Sequence, residues 1–224
     1  MERSLVRAVM SEAVATARCA LWPVALLRPL PARDAGRPVV LVHGYLGHRE
    51  MLRPLARRLL DEGWGPVVRV GYPSTRVGLD EVVTRVGAAV ASAASASGVP
   101  VDLIGHSLGA VACRVWLRRS GGPGVRRFVS LGGPHAGTSL YRVVPGPLRA
   151  ALDPRGAVVA ANRGGAEPVP TVVVRARYDQ QVFPPERASI AGVSEIIVSG
   201  TGHNGLLWSS VAHDAVVAAL AGAA

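Results

Sequence analysis

Short apolar runs alternate with longer helical patterns along the chain from residue 38 onward. The first run, PVVLVHG at 38–44, is continuous, rich in valine and ends at a glycine, which is typical of a strand buried on both faces. Strands that alternate with helices predict a parallel sheet with helices on both faces. We therefore predict an α/β fold with a mostly parallel sheet of about six strands.

The same patterns give the predicted elements and their order. Strands are predicted at 38–44, 65–73, 100–105, 125–133, 169–179 and 193–200, and helices at 51–64, 79–98, 107–119 and 205–221. The segment 134–168 interrupts the alternation with many Gly, Pro and Arg residues, and connections of this length are often functional. We interpret it as a short cap-like excursion instead of a large lid. Residues 1–37 are expected to form a helical extension packed on the domain 38–224.

One serine lies where a strand is predicted to turn sharply into a helix. In IGHSLGA (104–110), Ser107 lies between Gly105 and Gly109, directly after the third predicted strand. Such a turn is the nucleophile elbow, which projects a serine hydroxyl from the sheet edge and needs small neighbours. A serine becomes a good nucleophile only with a histidine base, which in turn is oriented by a carboxylate.

The candidate partners of this serine also follow strands. His203 lies in SGTGHNG after the last strand, and Asp179 follows the fifth strand in RARYDQQV. The order Ser, acid, His is the one expected on this type of sheet. We predict Ser107 as nucleophile, His203 as base and Asp179 as the group that orients it. Of the other histidines after the serine, His135 precedes any suitable aspartate and His213 falls inside the last helix.

Backbone donors and apolar walls complete the predicted site. An oxyanion needs N–H donors, and the predicted ones are the backbone N–H of Leu108 and that of Tyr45 in HGYLG (43–47). Apolar residues beside the motifs are candidates to line the substrate site, with the core as the alternative location for each. The candidates are Leu46, Val182, Phe183 and Leu206.

Five segments together resemble a known family. HGYLG, GHSLG, GGPHAGT, YDQQV and GTGHNGLLWSS resemble the α/β-hydrolase fold and, within it, bacterial lipases and esterases, over about residues 38–221. GTGHNGLLWSS is similar to the histidine loop of small lidless bacterial lipases. The resemblance implies hydrolysis of carboxylic esters through an acyl-serine intermediate, with no cofactor. The small number of aromatic residues favours aliphatic acyl chains, and no C-x-x-C or H-E-x-x-H pattern occurs, so we predict no metal. Residues 1–37 and the longer excursion depart from the minimal lipases.

Alternatives remain for the reaction. Thioesterases and acyltransferases use the same three groups, and the sequence does not separate them from ester hydrolases. A non-catalytic acyl- or membrane-binding module would be expected to lack one of the three groups or an elbow glycine, and none is missing.

Charge limits the choice of partners. All 25 basic residues are arginine and the net charge is +10, but the arginines are scattered from Arg3 to Arg187. A nucleic-acid binder clusters its basic residues, so we predict no nucleic-acid partner. We expect a monomer that acts on a small-molecule ester or lipid, with weak contact to an anionic membrane surface. The two cysteines are too few for a disulfide framework.

The N-terminal stretch 5–30 is apolar but interrupted by charges. It is interpreted as an amphipathic helix packed on the domain, with a membrane-surface helix and an atypical secretion signal as alternatives. A cytoplasmic or peripheral membrane location is favoured, with secretion as the alternative.

Overall fold

Six parallel strands form one sheet in the computed structural model, which describes residues 2–21, 23, 30–31, 33 and 36–222. The strand order is β2-β1-β3-β4-β5-β6, and the parallel α/β sheet predicted from the sequence is confirmed. The strands are β1 (Arg37–Val42), β2 (Trp64–Val70), β3 (Val101–His106), β4 (Val125–Leu131), β5 (Thr171–Ala176) and β6 (Ser194–Val198).

Helices cover both faces of this sheet. The helices are α1 (Glu2–Ala20), α2 (Arg53–Asp61), α3 (Leu79–Ser97), α4 (Leu108–Ser120), α5 (Ala157–Ala161) and α6 (Ser210–Ala221). Along β1, Val40 and Val42 pack on one face with α3 and α4, whereas Val39 and Leu41 pack on the other face with α2 and α6. This alternation follows from the two-residue period of a strand.

The order of the strands creates a crevice at the carboxyl edge between β1 and β3. The chain leaves β1 to form β2 on one side and returns to form β3 on the other side, with Val42 in register with Gly105. The loops after β1 and β3 therefore diverge, and ligands bind α/β sheets at such a switch point. HGYLG follows β1 and Ser107 follows β3, so both lie at this crevice.

Two helices end at the glycines that the sequence predicted, whereas the last helix begins later than predicted. α3 ends at Gly98 and α4 at Gly121, both in the left-handed conformation that glycine adopts without strain. The last helix begins at Ser210, so the prediction of a helix from 205 was wrong there. Asn204–Leu207 form a separate 3-10 turn, and the Ser209 hydroxyl accepts the N–H of Ala212 as a cap.

The N-terminal helix and the excursion flank the carboxyl edge. α1 packs on the 3-10 turn Asn204–Leu207 and buries Ala8, Ala15 and Cys19. Of the predicted extension, residues 1, 22, 24–29, 32 and 34–35 lie outside the described part. The excursion contains two 3-10 helices, Ser139–Val143 and Pro147–Leu152, followed by α5. Among the described residues, none of the helices combines the length and the apolar character needed to cross a membrane.

Candidate active site

Ser107 occupies a strained turn between β3 and α4. Its backbone has φ 55° and ψ −126°, a region that residues with a side chain rarely adopt. A Cβ on Gly105 would lie 2.4 Å from Cα of Ala110, and one on Gly109 would lie 2.4 Å from the carbonyl oxygen of His43. Both contacts are too close for any side chain, which explains the glycines on either side of the serine.

The structure brings Ser107, His203 and Asp179 into one hydrogen-bonded chain. Ser107 Oγ lies 2.8 Å from His203 Nε2, and His203 Nδ1 lies 2.8 Å from Asp179 Oδ2. The other oxygen, Asp179 Oδ1, accepts the backbone N–H groups of Gln181 at 2.8 Å and Val182 at 2.7 Å. Since a carboxylate only accepts, Nδ1 carries the proton and Nε2 is free to accept the serine proton.

Charge pairing in this chain outweighs burial. Burial alone would raise the pKa of Asp179, but the facing His203 and the hydrogen bonds to the carboxylate hold it below its usual value. Burial would lower the pKa of His203, but the charge of Asp179 and its hydrogen bond raise the pKa of His203 above the ordinary 6.5. The imidazolium that forms on proton transfer is therefore stabilised.

The loop after β1 approaches the serine closely. A Cβ on Gly44 would lie 2.7 Å from Cβ of Ser107. Tyr45, the next residue, lines the cleft that opens over Ser107, and Leu46 has a positive φ of 52°. Within the described residues, the backbone N–H groups of Tyr45 and Leu108 have no hydrogen-bond partner. Leu108 is the first residue of α4, where an N–H has no partner inside the helix.

A cleft of about 500 Å³ opens over the serine. One wall comes from α1, another from the loop after β1, and a third from the excursion and the loop after β5. Its described lining is mostly apolar: Thr16, Cys19, Ala20, Tyr45, Leu46, Met51, Ser107, Leu108, Pro134, Thr138, Leu140, Val143, Val144, Pro145, Leu152, Gln181, Val182 and Asn204.

The four predicted lining residues fall in three places. Leu46 and Val182 line the cleft. Leu206 is fully buried in the core beside α6, and its side chain faces Gly132 rather than the cleft. Phe183 is 57% exposed and its position is outside the cleft lining described above. The sequence predicted the excursion and the packed N-terminal helix but not which of their side chains line the cleft, because that depends on tertiary packing.

Two other buried histidines support the loops of the site. The His43 ring stacks on Tyr72 and pairs with the carbonyl of Gly44, and burial lowers the pKa of His43 to about 4. His106 Nε2 donates to the carbonyl of His203 at 3.3 Å, and burial lowers the pKa of His106 to about 3. Both rings are thus neutral near pH 7 and hold loop backbone in place.

The described residues contain no group of three or more His, Cys, Asp or Glu side chains arranged to hold a metal. The polar side chains at Ser107 are hydrogen-bonded to one another, with His203 between Ser107 and Asp179.

Comparison with known proteins places the chain in a family. The model of the palmitoyl protein thioesterase family matches residues 38–166, which is more than half of the chain. The chain belongs to the palmitoyl protein thioesterase family. The matched range contains HGYLG, Ser107 and nearly all of the excursion. The match begins after α1 and ends before Asp179 and His203. Only the structure therefore shows where α1, Asp179 and His203 lie relative to Ser107.

Solved structures similar to this palmitoyl protein thioesterase family member share its fold. Lipase B of Aspergillus fumigatus has a TM-score of 0.75 and 20% identity, with 86% of this chain and 55% of that chain covered. The mature lipase BlEst2 of Bacillus licheniformis has a TM-score of 0.66 and 13% identity, covering 84% and 94%. The carboxylesterase CesB of Bacillus subtilis has a TM-score of 0.56 and 16% identity, covering 86% and 86%.

These matches show that the chain has the α/β-hydrolase fold that the sequence motifs indicated. The chain spans 55% of the length of the Aspergillus lipase. A search of curated proteins found no match.

Proposed function

We propose that this protein is a serine hydrolase that cleaves carboxylic esters of aliphatic acids through an acyl-serine intermediate. The observation that carries the proposal is the Ser107–His203–Asp179 hydrogen-bonded chain, with both links at 2.8 Å, opening on an apolar cleft. A nucleophile, a base in the correct tautomer and an orienting carboxylate are the parts that acyl transfer requires.

The steps follow from this geometry. Ser107 Oγ attacks the carbonyl carbon while its proton passes to His203 Nε2, and the tetrahedral oxyanion accepts the N–H groups of Tyr45 and Leu108. The imidazolium then donates that proton to the leaving alcohol. Water, deprotonated by His203, attacks the acyl-serine and releases the acid. Each oxyanion donor contributes about 3 kcal/mol to stabilising the transition state.

The cleft supports an aliphatic acyl group as the substrate. Its volume of about 500 Å³ falls within the roughly 300–1,000 Å³ typical of small-molecule sites. Val143, Val144 and Leu152 of the excursion provide an apolar wall with no charged group. An acetyl group would leave this wall in contact with water, so longer acyl chains gain binding free energy from covering it.

Thioester hydrolysis is a second candidate, because the chain belongs to the palmitoyl protein thioesterase family. The first step is the same for both substrates. A thiolate is a much weaker base than an alkoxide and leaves without being protonated, so proton donation by His203 matters more for the oxyester. An acyltransferase would use the same acyl-serine with an acceptor other than water.

The test compares matched substrates and one variant. We would measure kcat/KM for p-nitrophenyl esters from acetate to palmitate and for acyl-CoA thioesters of the same lengths, with the native protein and with Ser107→Ala. The proposal expects turnover that rises beyond acetate and falls by several orders of magnitude in the variant. Preference for thioesters at every length would favour the second candidate. Equal turnover in native protein and variant would exclude Ser107 as the nucleophile.

We also propose that the protein acts as a monomer at an anionic membrane surface. The extension 1–37 acts there together with the domain 38–224, which includes the excursion 134–168. The solvent-facing side of α1 is apolar, with Arg7 and Arg18 along one border of the apolar face. The cleft rim adds exposed apolar side chains at Leu46 and Val143. Arginines beside exposed apolar residues suit an interface of acyl chains and anionic headgroups. The exposed large apolar residues in the described part of α1 are Leu5, Val6, Val9, Met10 and Val14, and Leu21 follows the helix.

A further inference from the structure

The helix α1 contacts the loop that carries His203 through three successive polar groups. We call residues 199–207 the His203 loop and residues 177–184 the Asp179 loop. Ser11 Oγ lies 3.4 Å from Thr201 Oγ1, and Asn204 Nδ2 donates to Thr16 Oγ1 at 3.1 Å. Between them on the helix is Glu12, whose exposed fraction is only 8%.

The Glu12 carboxylate bridges the two loops of the site. Oε2 accepts the backbone N–H of Gly205 at 3.1 Å, two residues after His203. Oε1 accepts the side-chain amide of Gln181 at 3.1 Å, and the backbone N–H of Gln181 in turn donates to Asp179. One buried carboxylate thus joins the His203 loop to the Asp179 loop.

The packing around this carboxylate leaves no space. A Cβ on Gly202 would come nearest to Gln180 Oε1, and it would lie 2.7 Å from Glu12 Oε2 and 2.8 Å from Glu12 Cβ. The glycine beside His203 therefore leaves the space that the side chains of Glu12 and Gln180 occupy. Close fit and two hydrogen bonds fix both the carboxylate and the loop.

We propose that Glu12 is a positioning residue, supplied by the N-terminal helix, that holds His203 in its working place between Ser107 and Asp179. This inference rests on the proposed function. The family model matches residues 38–166, and α1 lies outside this range. Glu12 is therefore a site residue on an element that the family match does not cover.

Charge gives Glu12 a role that a neutral residue could not perform. The groups facing His203 are Asp179, Glu12 and the neutral ring of His106, and Cys19 on α1 also lies within the field of Glu12. The contacts to Glu12 come from neutral donors, and the described residues contain no ion pair to it. Its negative charge, like that of Asp179, raises the pKa of His203 and favours the imidazolium formed during proton transfer.

The test replaces the carboxylate by its amide. In Glu12→Gln we expect kcat to fall by on the order of 10- to 100-fold, because small displacements of a catalytic group have effects of this size. KM should change little, and the acid limb of the pH–rate profile should move to lower pH, because a negative charge near His203 is lost. Glu12→Asp keeps the charge and should retain the native acid limb. Asp61→Asn, an exposed carboxylate on α2, is the matched control and should behave as native.

A second variant covers the case in which Glu12→Gln does not fold. Gln181→Met removes the side-chain donor but leaves the backbone N–H that Asp179 accepts, and we expect a smaller loss in kcat. Because Gln181 also lines the cleft, this variant is compared by kcat at saturating substrate and not by KM. Circular dichroism and thermal unfolding would verify folding of each variant. The inference is overturned if folded Glu12→Gln has the native kcat and the native acid limb. If Glu12→Gln does not fold, a native kcat in Gln181→Met overturns it. If Ser107→Ala remained active, the proposed function would fail instead, and the two failures are distinguishable.

Discussion

At the residue scale, Asp179 determines how His203 can act. The carboxylate holds the proton on Nδ1 and leaves Nε2 toward Ser107, with both contacts at 2.8 Å. A base must be neutral to accept a proton, and Asp179 raises the pKa of His203 above 6.5. The rate should therefore rise with pH through an apparent pKa above that of an ordinary histidine.

Replacing Asp179 by asparagine tests this description. In Asp179→Asn the amide can donate to the ring and favours the wrong tautomer, so we expect kcat to fall by roughly 10⁴. Burial then acts on His203 without the compensating charge, so the acid limb should move to lower pH. A pH–rate profile of kcat/KM for a p-nitrophenyl ester measures both effects. Asp214→Asn, exposed on α6, is the control, and an unchanged acid limb in Asp179→Asn would contradict the assignment.

The residues that the sequence could locate are those that follow strands. Ser107, Asp179 and His203 each come after a predicted strand, and parallel strands end at one edge, so their meeting was predictable. Leu206 also adjoins a motif, but the 3-10 turn after His203 rotates its side chain into the core. Glu12 was not predictable, since a buried acid on an amphipathic helix has the same local pattern as an exposed one.

At the element scale, the apolar runs located all six strands but could not show how the irregular excursion is fixed to the domain. Its end is held by Glu167, which pairs with Arg114 of α4 at 2.7 Å; both side chains are 5% exposed. Arg118 contacts the same carboxylate oxygen at 3.3 Å. These partners are about 50 residues apart in the chain, and helical or strand periodicity carries no information at that distance.

Removing this anchor should destabilise the whole domain. In Glu167→Ala the guanidinium of Arg114 would remain buried without its partner, and breaking such a pair costs about 3–5 kcal/mol. Asp80→Ala removes the exposed partner of Arg119, which lies on α4 like Arg114. This variant should lose less than about 1 kcal/mol of the free energy of unfolding. Urea unfolding of the two variants measures the difference in the free energy of unfolding. Equal losses would show that the Arg114–Glu167 pair contributes no more than a surface pair.

At the scale of the whole molecule, charge and apolar surface are distributed for an anionic interface. The net charge of +10 acts over the entire surface, whereas the exposed apolar residues concentrate on α1 and at the cleft rim. The field of a strongly basic protein attracts it to anionic lipid, and buried apolar side chains then retain it there. The two contributions respond differently to salt and to mutation, so an experiment can separate them.

Flotation with lipid vesicles makes that separation. We expect binding to vesicles with anionic lipid, weaker binding to zwitterionic vesicles, and a decline as salt is raised, because exposed charges are screened beyond about 10 Å at 0.1 M. The double variant Val6→Gln with Met10→Gln should lower the partition coefficient by on the order of tenfold at any salt concentration, since it removes apolar surface but no charge. Val99→Gln, an exposed valine beyond the end of α3, is the matched control. Native partitioning in the double variant would show that charge alone attracts the protein and that α1 faces water at the membrane.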